Sequence, residues 1–83
     1  MNNIASLPYW FDEDVVAAKL YAKIELSQEE LDVLVWHYMN YNHNDDGFWN
    51  ALITFKGIRY KIPYRRVLAD NASYYYEQPE VLT

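Results

Sequence analysis

Leu31, Leu34, Val35, Tyr38 and Met39 recur at the i, i+3, i+4, i+7 and i+8 spacing of a helix that buries one stripe. Just before them stands Leu26-Ser27-Gln28-Glu29-Glu30. Ser27 is placed to cap the free amides of the first turn, and Glu30, three residues on, to bond back to the Ser27 amide. Leu26 and Leu31 occupy the positions of a hydrophobic staple. Glu29 and Glu30 also favour the positive end of the helix dipole. The pattern predicts a helix over 28–41, ended by the turn formers of Asn42 to Gly47. Val33 and Trp36 lie off the stripe, so the helix is either covered on two sides or shows Trp36 to a partner.

From Phe48 the period changes to two. With Lys56-Gly57 as a two-residue turn, strands 48–55 and 58–64 pair so that Phe55 faces Ile58, Ile53 faces Tyr60, Ala51 faces Ile62 and Trp49 faces Tyr64. These pairs share one face; Asn50, Leu52, Thr54, Arg59, Lys61 and Arg65 share the other. Pro63 has no amide hydrogen to give, which points to a sheet edge near the end of the second strand. Residues 12–26 fit a strand or a helix. The strand reading is favoured because nothing resembling a helical C-cap separates Ile24 from Ser27. Residues 70–83 read as a docked or mobile tail. The expected fold is α+β, a single domain over 1–83: one amphipathic helix packed on a small antiparallel sheet containing a C-terminal β-hairpin.

Composition sharpens this picture. A chain of 83 residues has a thin core and little room for a deep pocket, yet 18% of this one is aromatic. Some Tyr and Trp must therefore reach the surface, where they combine contact area with a polar handle. Cysteine is absent, which excludes disulfides and thiolate metal sites. The net charge of −5 is unevenly spread. Lys56, Arg59, Lys61, Arg65 and Arg66 lie between Gly47 and Ala69 with no acid among them. The remainder sets all 12 acids against Lys19 and Lys23. An acidic body with one basic element bears on partners and steering, not on fold. Met1 to Ser6 carries no basic region, and every apolar run falls short of the ~18 residues of a membrane span. The expectation is a cytoplasmic protein without membrane contact.

Candidate chemistry is sparse. Ser27 is committed to capping, His37 stands alone on the helix, and Asp45 and Asp46 sit where turns favour Asp, so no nucleophile meets a base. The expectation is no enzyme and no cofactor. Asn42, Asn44 and Asp46 resemble the start of a calcium loop, but Asn replaces the first acid and Ile53 stands where the closing Glu belongs. No metal is expected either. What remains is binding. Trp10, Trp36, Tyr41, Tyr74, Tyr75 and Tyr76 exceed what the helix stripe and hairpin face require, and Tyr, Trp and Arg dominate interface hot spots. The primary expectation is a small protein-binding module, an inhibitor or regulator that occludes a partner, with an acidic body steered toward a basic, nucleic-acid-handling protein. Small acidic chains without motifs are similar in character to virus-encoded inhibitors, a likeness that no residue carries. The alternative is direct nucleic-acid binding by Lys56, Arg59, Lys61, Arg65 and Arg66 with nearby tyrosines, against the repulsion of an acidic chain. Homo-oligomerisation is compatible with either reading.

Overall fold

The computed structural model describes residues 7–67 and 73–82. The elements run α1 (Glu13–Ala22), α2 (Gln28–Tyr38), β1 (Met39–Asp45), β2 (Phe48–Phe55), β3 (Ile58–Val67), β4 (Ser73–Tyr76) and β5 (Glu80–Val81). The protein is α+β. Its antiparallel sheet has the order β1-β2-β3-β4, and β5 pairs with β3 beside β4. Leu31, Leu34 and Val35 of α2 and Val16 of α1 are fully buried with Ala51, Ile53, Phe55, Ile62 and Tyr64. Both helices thus cover one face of the sheet, and among the described residues no element covers the other.

The capping box forms as the spacing predicts: the Glu30 amide donates to Ser27 Oγ at 3.1 Å, and the Ser27 amide donates to Glu30 Oε1 at 2.9 Å. The β2–β3 register also follows the period-two pattern, with Trp49 opposite Tyr64, Ala51 opposite Ile62, Ile53 opposite Tyr60 and Phe55 opposite Ile58. Lys56 and Gly57 both have positive φ (52° and 78°), the conformation whose twist matches a two-residue hairpin.

Four expectations give way. Residues 12–26 are not a strand: they form helix α1 and the turn after it. Asp12 caps its start by accepting from the amides of Asp14 and Val15. Lys23 ends it in the left-handed region, with its own amide bonded to Leu20 O and that of Ile24 to Lys19 O. That is a Schellman cap built on lysine instead of glycine. The second helix stops at Tyr38, not Tyr41, because Met39 turns extended and enters β1. Residues 42–47 are mostly strand, with Asp46-Gly47 forming a second two-residue turn of positive φ.

Nor does Pro63 mark an edge. β3 is paired on both sides, with β2 on one flank and β4 and β5 on the other. The side of Pro63 that lacks a hydrogen faces the gap between β4 and β5, where its carbonyl accepts the Glu77 amide at 2.8 Å. The tail is docked over 73–82. Two glutamines pin it: Gln28 Nε2 donates to Tyr76 O and Gln28 Oε1 accepts the Tyr76 amide, both at 2.8 Å. Gln78 makes the same two-way pairing with the backbone of Leu26, at 2.9 and 3.1 Å.

Candidate partner-binding surface

Helix α2 buries Leu31, Leu34 and Val35 toward the sheet and turns Asp32, Trp36 and His37 outward. On one side of that outward face lies the Pro8–Phe11 segment, held by the Phe11 amide on Pro8 O and by Phe11 packed against Tyr38. On the other side lies β4. Between them runs a groove of about 300 Å³ lined by Trp10, Glu29, Asp32, Val33, His37 and Tyr74. The isopropyl group of Val33 is its floor. The walls are aromatic, and Glu29 and Asp32 at the start of α2 give it negative charge.

A cluster of rings backs the groove. Trp36 meets Tyr64 edge-on at 5.9 Å between centroids and Tyr74 at 5.7 Å, and Tyr64 meets Tyr76 at 5.4 Å. The Tyr76 hydroxyl donates to Asp32 Oδ1 and accepts from Trp36 Nε1. Burial, then the hydrogen bond to Asp32, raises the Tyr76 phenol well above the usual tyrosine value. Tyr76 therefore stays neutral and fixes Asp32 and Trp36 in place. Across the helices, Tyr38 donates to Glu13, and burial followed by that bond raises its phenol likewise. The ammonium of Lys19 lies 3.0 Å from both Glu30 oxygens.

Of the six aromatics singled out from the sequence, Trp10, Trp36, Tyr74 and Tyr76 gather around this face of α2. Trp10 and Trp36 are 46% and 45% exposed, which leaves each ring half available. Tyr76 is core, at 3%, and acts from beneath the surface. Tyr41 and Tyr75 are elsewhere, on the uncovered sheet face: Tyr41 stacks beside His43, and Tyr75 lies under the Arg65 guanidinium at 5.3 Å. Val33, Asp32 and His37 stand outside the aromatic set singled out from the sequence. They become a site only because the tail returns as β4 alongside α2.

The five basic residues of the hairpin region do not share one surface. Lys56, in the turn, pairs with Asp14 of α1 at 3.2 Å. Arg59, Lys61 and Arg65 alternate onto the uncovered sheet face, and Arg66, opposite Tyr74, lies on the other side. Lys61 is within 3.6 Å of Glu80. A shallow hollow on the same face is lined by Asp45, Asp46, Glu77 and Glu80 around Phe48 and Pro63. Carboxylates thus interrupt the cations. Among the described residues no three of His, Asp and Glu gather in metal-binding geometry, and no helix is long and apolar enough to cross a membrane.

No family model, curated protein or solved structure matches this chain.

Proposed function

We propose that this chain is a non-enzymatic protein-binding module, active in the cytoplasm, that uses the α2 groove to occlude or tether a partner with a basic surface. One observation carries the reading: Glu29 and Asp32 lie in a groove walled by Trp10 and Tyr74 and floored by Val33. A guanidinium or ammonium entering it finds carboxylates for its charge and aromatic faces for its flanks, two attractions that reinforce each other where water is displaced. The groove is pre-formed, since Asp32 and Tyr76 are bonded to each other and β4 is pinned to Gln28. Little ordering entropy then opposes binding. Basic surfaces of this kind are common on nucleic-acid-handling proteins, and an inhibitor that covers one competes with its polyanion. The carboxylates among Arg59, Lys61 and Arg65 weigh against a nucleic-acid platform on the sheet.

Affinity capture on a tagged copy from the native cell tests the proposal, with Trp10→Ala, Glu29→Lys and Arg59→Glu run alongside. The wild type and Arg59→Glu should retain the same stoichiometric protein, and Trp10→Ala and Glu29→Lys should lose it while remaining folded. Retention by all three variants would place the interface away from the groove.

A further inference from the structure

A second hollow, of about 340 Å³, lies at the C-terminal end of α1. Leu20 and Ile24, from the last turn of α1 and the cap after it, form one wall; Pro79 and Val81 of the tail form the other. Tyr60 of β3, opposite Val81 in the sheet, is the floor. Both walls are fixed by the fold. The Ile24 amide is bonded to Lys19 O, Gln78 pairs with the Leu26 backbone, and the Leu82 amide donates to Arg59 O at 2.8 Å. The floor holds the anomaly. A buried tyrosine hydroxyl normally finds a hydrogen-bond partner. Tyr38 has Glu13, Tyr64 has Asn42, and Tyr76 has Asp32 and Trp36. Tyr60 is only 5% exposed, yet among the described residues its hydroxyl bonds to nothing. Burial is the sole cause that raises its phenol. Among the described residues Asn42 Oδ1 is the unpartnered polar side-chain atom sealed from solvent. The Tyr60 hydroxyl is therefore open at its tip, onto the hollow that its side chain lines.

We propose that this hollow is a binding site for a small uncharged apolar molecule that carries one carbonyl or hydroxyl oxygen. Leu20, Ile24, Pro79 and Val81 supply apolar contact, and the Tyr60 hydroxyl supplies the directional bond that orients the ligand. The rim selects the charge. Lys23 and Glu25 stand on it with opposite signs, and Glu80 is offset by Lys61 at 3.6 Å. An ion of either sign meets a like charge as well as an opposite one, and it gives up hydration on entry. An uncharged ligand pays neither cost. No residue lines both this hollow and the α2 groove, so the site does not depend on what the groove binds.

Chemical-shift mapping of the full chain with camphor, an uncharged apolar ketone, tests the site, with camphorsulfonate as the anionic comparison. Camphor should shift Leu20, Ile24, Tyr60 and Val81 with a Kd of about 1 mM or below, and leave Trp10 and Tyr74 in place. Camphorsulfonate should bind at least ~10-fold more weakly. Tyr60→Phe should keep the wild-type melting temperature, because the hydroxyl it removes bonds to nothing in the protein, and should weaken camphor binding about fivefold. Ile24→Glu, at an exposed position, should abolish binding while the chain remains folded. No shift at the hollow with about 5 mM camphor overturns the proposal. Equal camphor affinity in Tyr60→Phe, or a clear loss of stability in that variant, overturns the role of the hydroxyl. Camphorsulfonate binding as tightly as camphor overturns the uncharged class of ligand.

Discussion

The indole Nε1 of Trp36 donates to the hydroxyl of Tyr76 at 2.8 Å, so a half-exposed tryptophan is anchored on a buried tyrosine. Trp36 is therefore as much a part of the fold as of the surface. Tyr76→Phe keeps the ring but leaves Asp32 and Trp36 without their shared partner. Both can turn to water, so the expected loss is about 1 kcal/mol in urea unfolding. Trp36→Ala also forfeits the packing on Tyr64 and Tyr74, and should cost more than Tyr76→Phe. A Trp36→Ala protein of wild-type stability would show that the ring cluster does not hold β4 to α2.

Leu34 is fully buried at the centre of the α2 stripe, among the side chains of the sheet. Leu34→Ala should cost ~2–5 kcal/mol by leaving a cavity that the surrounding strands cannot fill. In a domain of this size that is a large share of the total stability. The midpoint of denaturant unfolding measures it.

Burial raises the phenols of Tyr60, Tyr64, Tyr76 and Tyr38, with carboxylates adding to the effect for the last two. A raised pKa in the folded state means that the folded protein holds its protons while the unfolded chain releases them. Their contribution is complete below the ordinary tyrosine pKa of about 10 and is lost above it, by up to ~1.4 kcal/mol per pH unit for each such tyrosine. Melting temperature should fall steeply above about pH 10. A flat alkaline limb would mean that these hydroxyls reach water.

Glu30 works in the opposite direction. Burial alone would raise its carboxyl, but the Ser27 amide, the Lys19 ammonium and the Ser27 hydroxyl together hold it below the usual value. A lowered pKa contributes stability that is present above the ordinary carboxylate range and is lost as pH falls through the folded value. Glu30→Gln should flatten the acid limb of the stability profile relative to wild type. An unchanged acid limb would show that the capping box and the Lys19 pair add no charge-dependent stability.

Lys23 holds φ at 59°, a conformation that suits glycine better than any residue with a Cβ. Lys23→Gly should stabilise the protein by ~0.5–1 kcal/mol, the relief of left-handed strain exceeding the extra freedom that glycine gives the unfolded chain. Destabilisation would mean that the lysine side chain contributes more than its backbone costs.

The same lysine explains the main misreading of the sequence. Helix α2 and the β2–β3 hairpin were readable because local signals and burial agreed: a capping box with a stripe behind it, and Lys56-Gly57 between alternating runs. For α1 they disagreed. Apolar residues on all its sides fit a strand as well as a helix, and its C-cap carries no glycine. Strand β1 was hidden for another reason. Asn42, His43 and Asn44 are poor strand formers by composition, and pairing with β2 holds them extended. Asp46-Gly47 was the available hairpin signal, masked by its polar flanks. The groove was half visible. Trp10, Trp36 and Tyr74 stand out as surplus aromatics, but which of them meet depends on β4 returning beside α2. Nothing local encodes that return; Gln28 and Gln78 fix it through long-range amide pairs.

Amide and indole chemical-shift mapping on the isotope-labelled chain shows whether the α2 groove takes a basic partner. One titration uses an arginine-rich peptide and a parallel one a single-stranded oligonucleotide. The peptide should shift the Trp10 indole, Val33, His37 and Tyr74, with affinity that falls as salt rises and is lost in Glu29→Lys, while the oligonucleotide leaves the spectrum unchanged. Shifts at Arg59, Lys61 and Arg65 with the oligonucleotide, and none in the groove with the peptide, would contradict it.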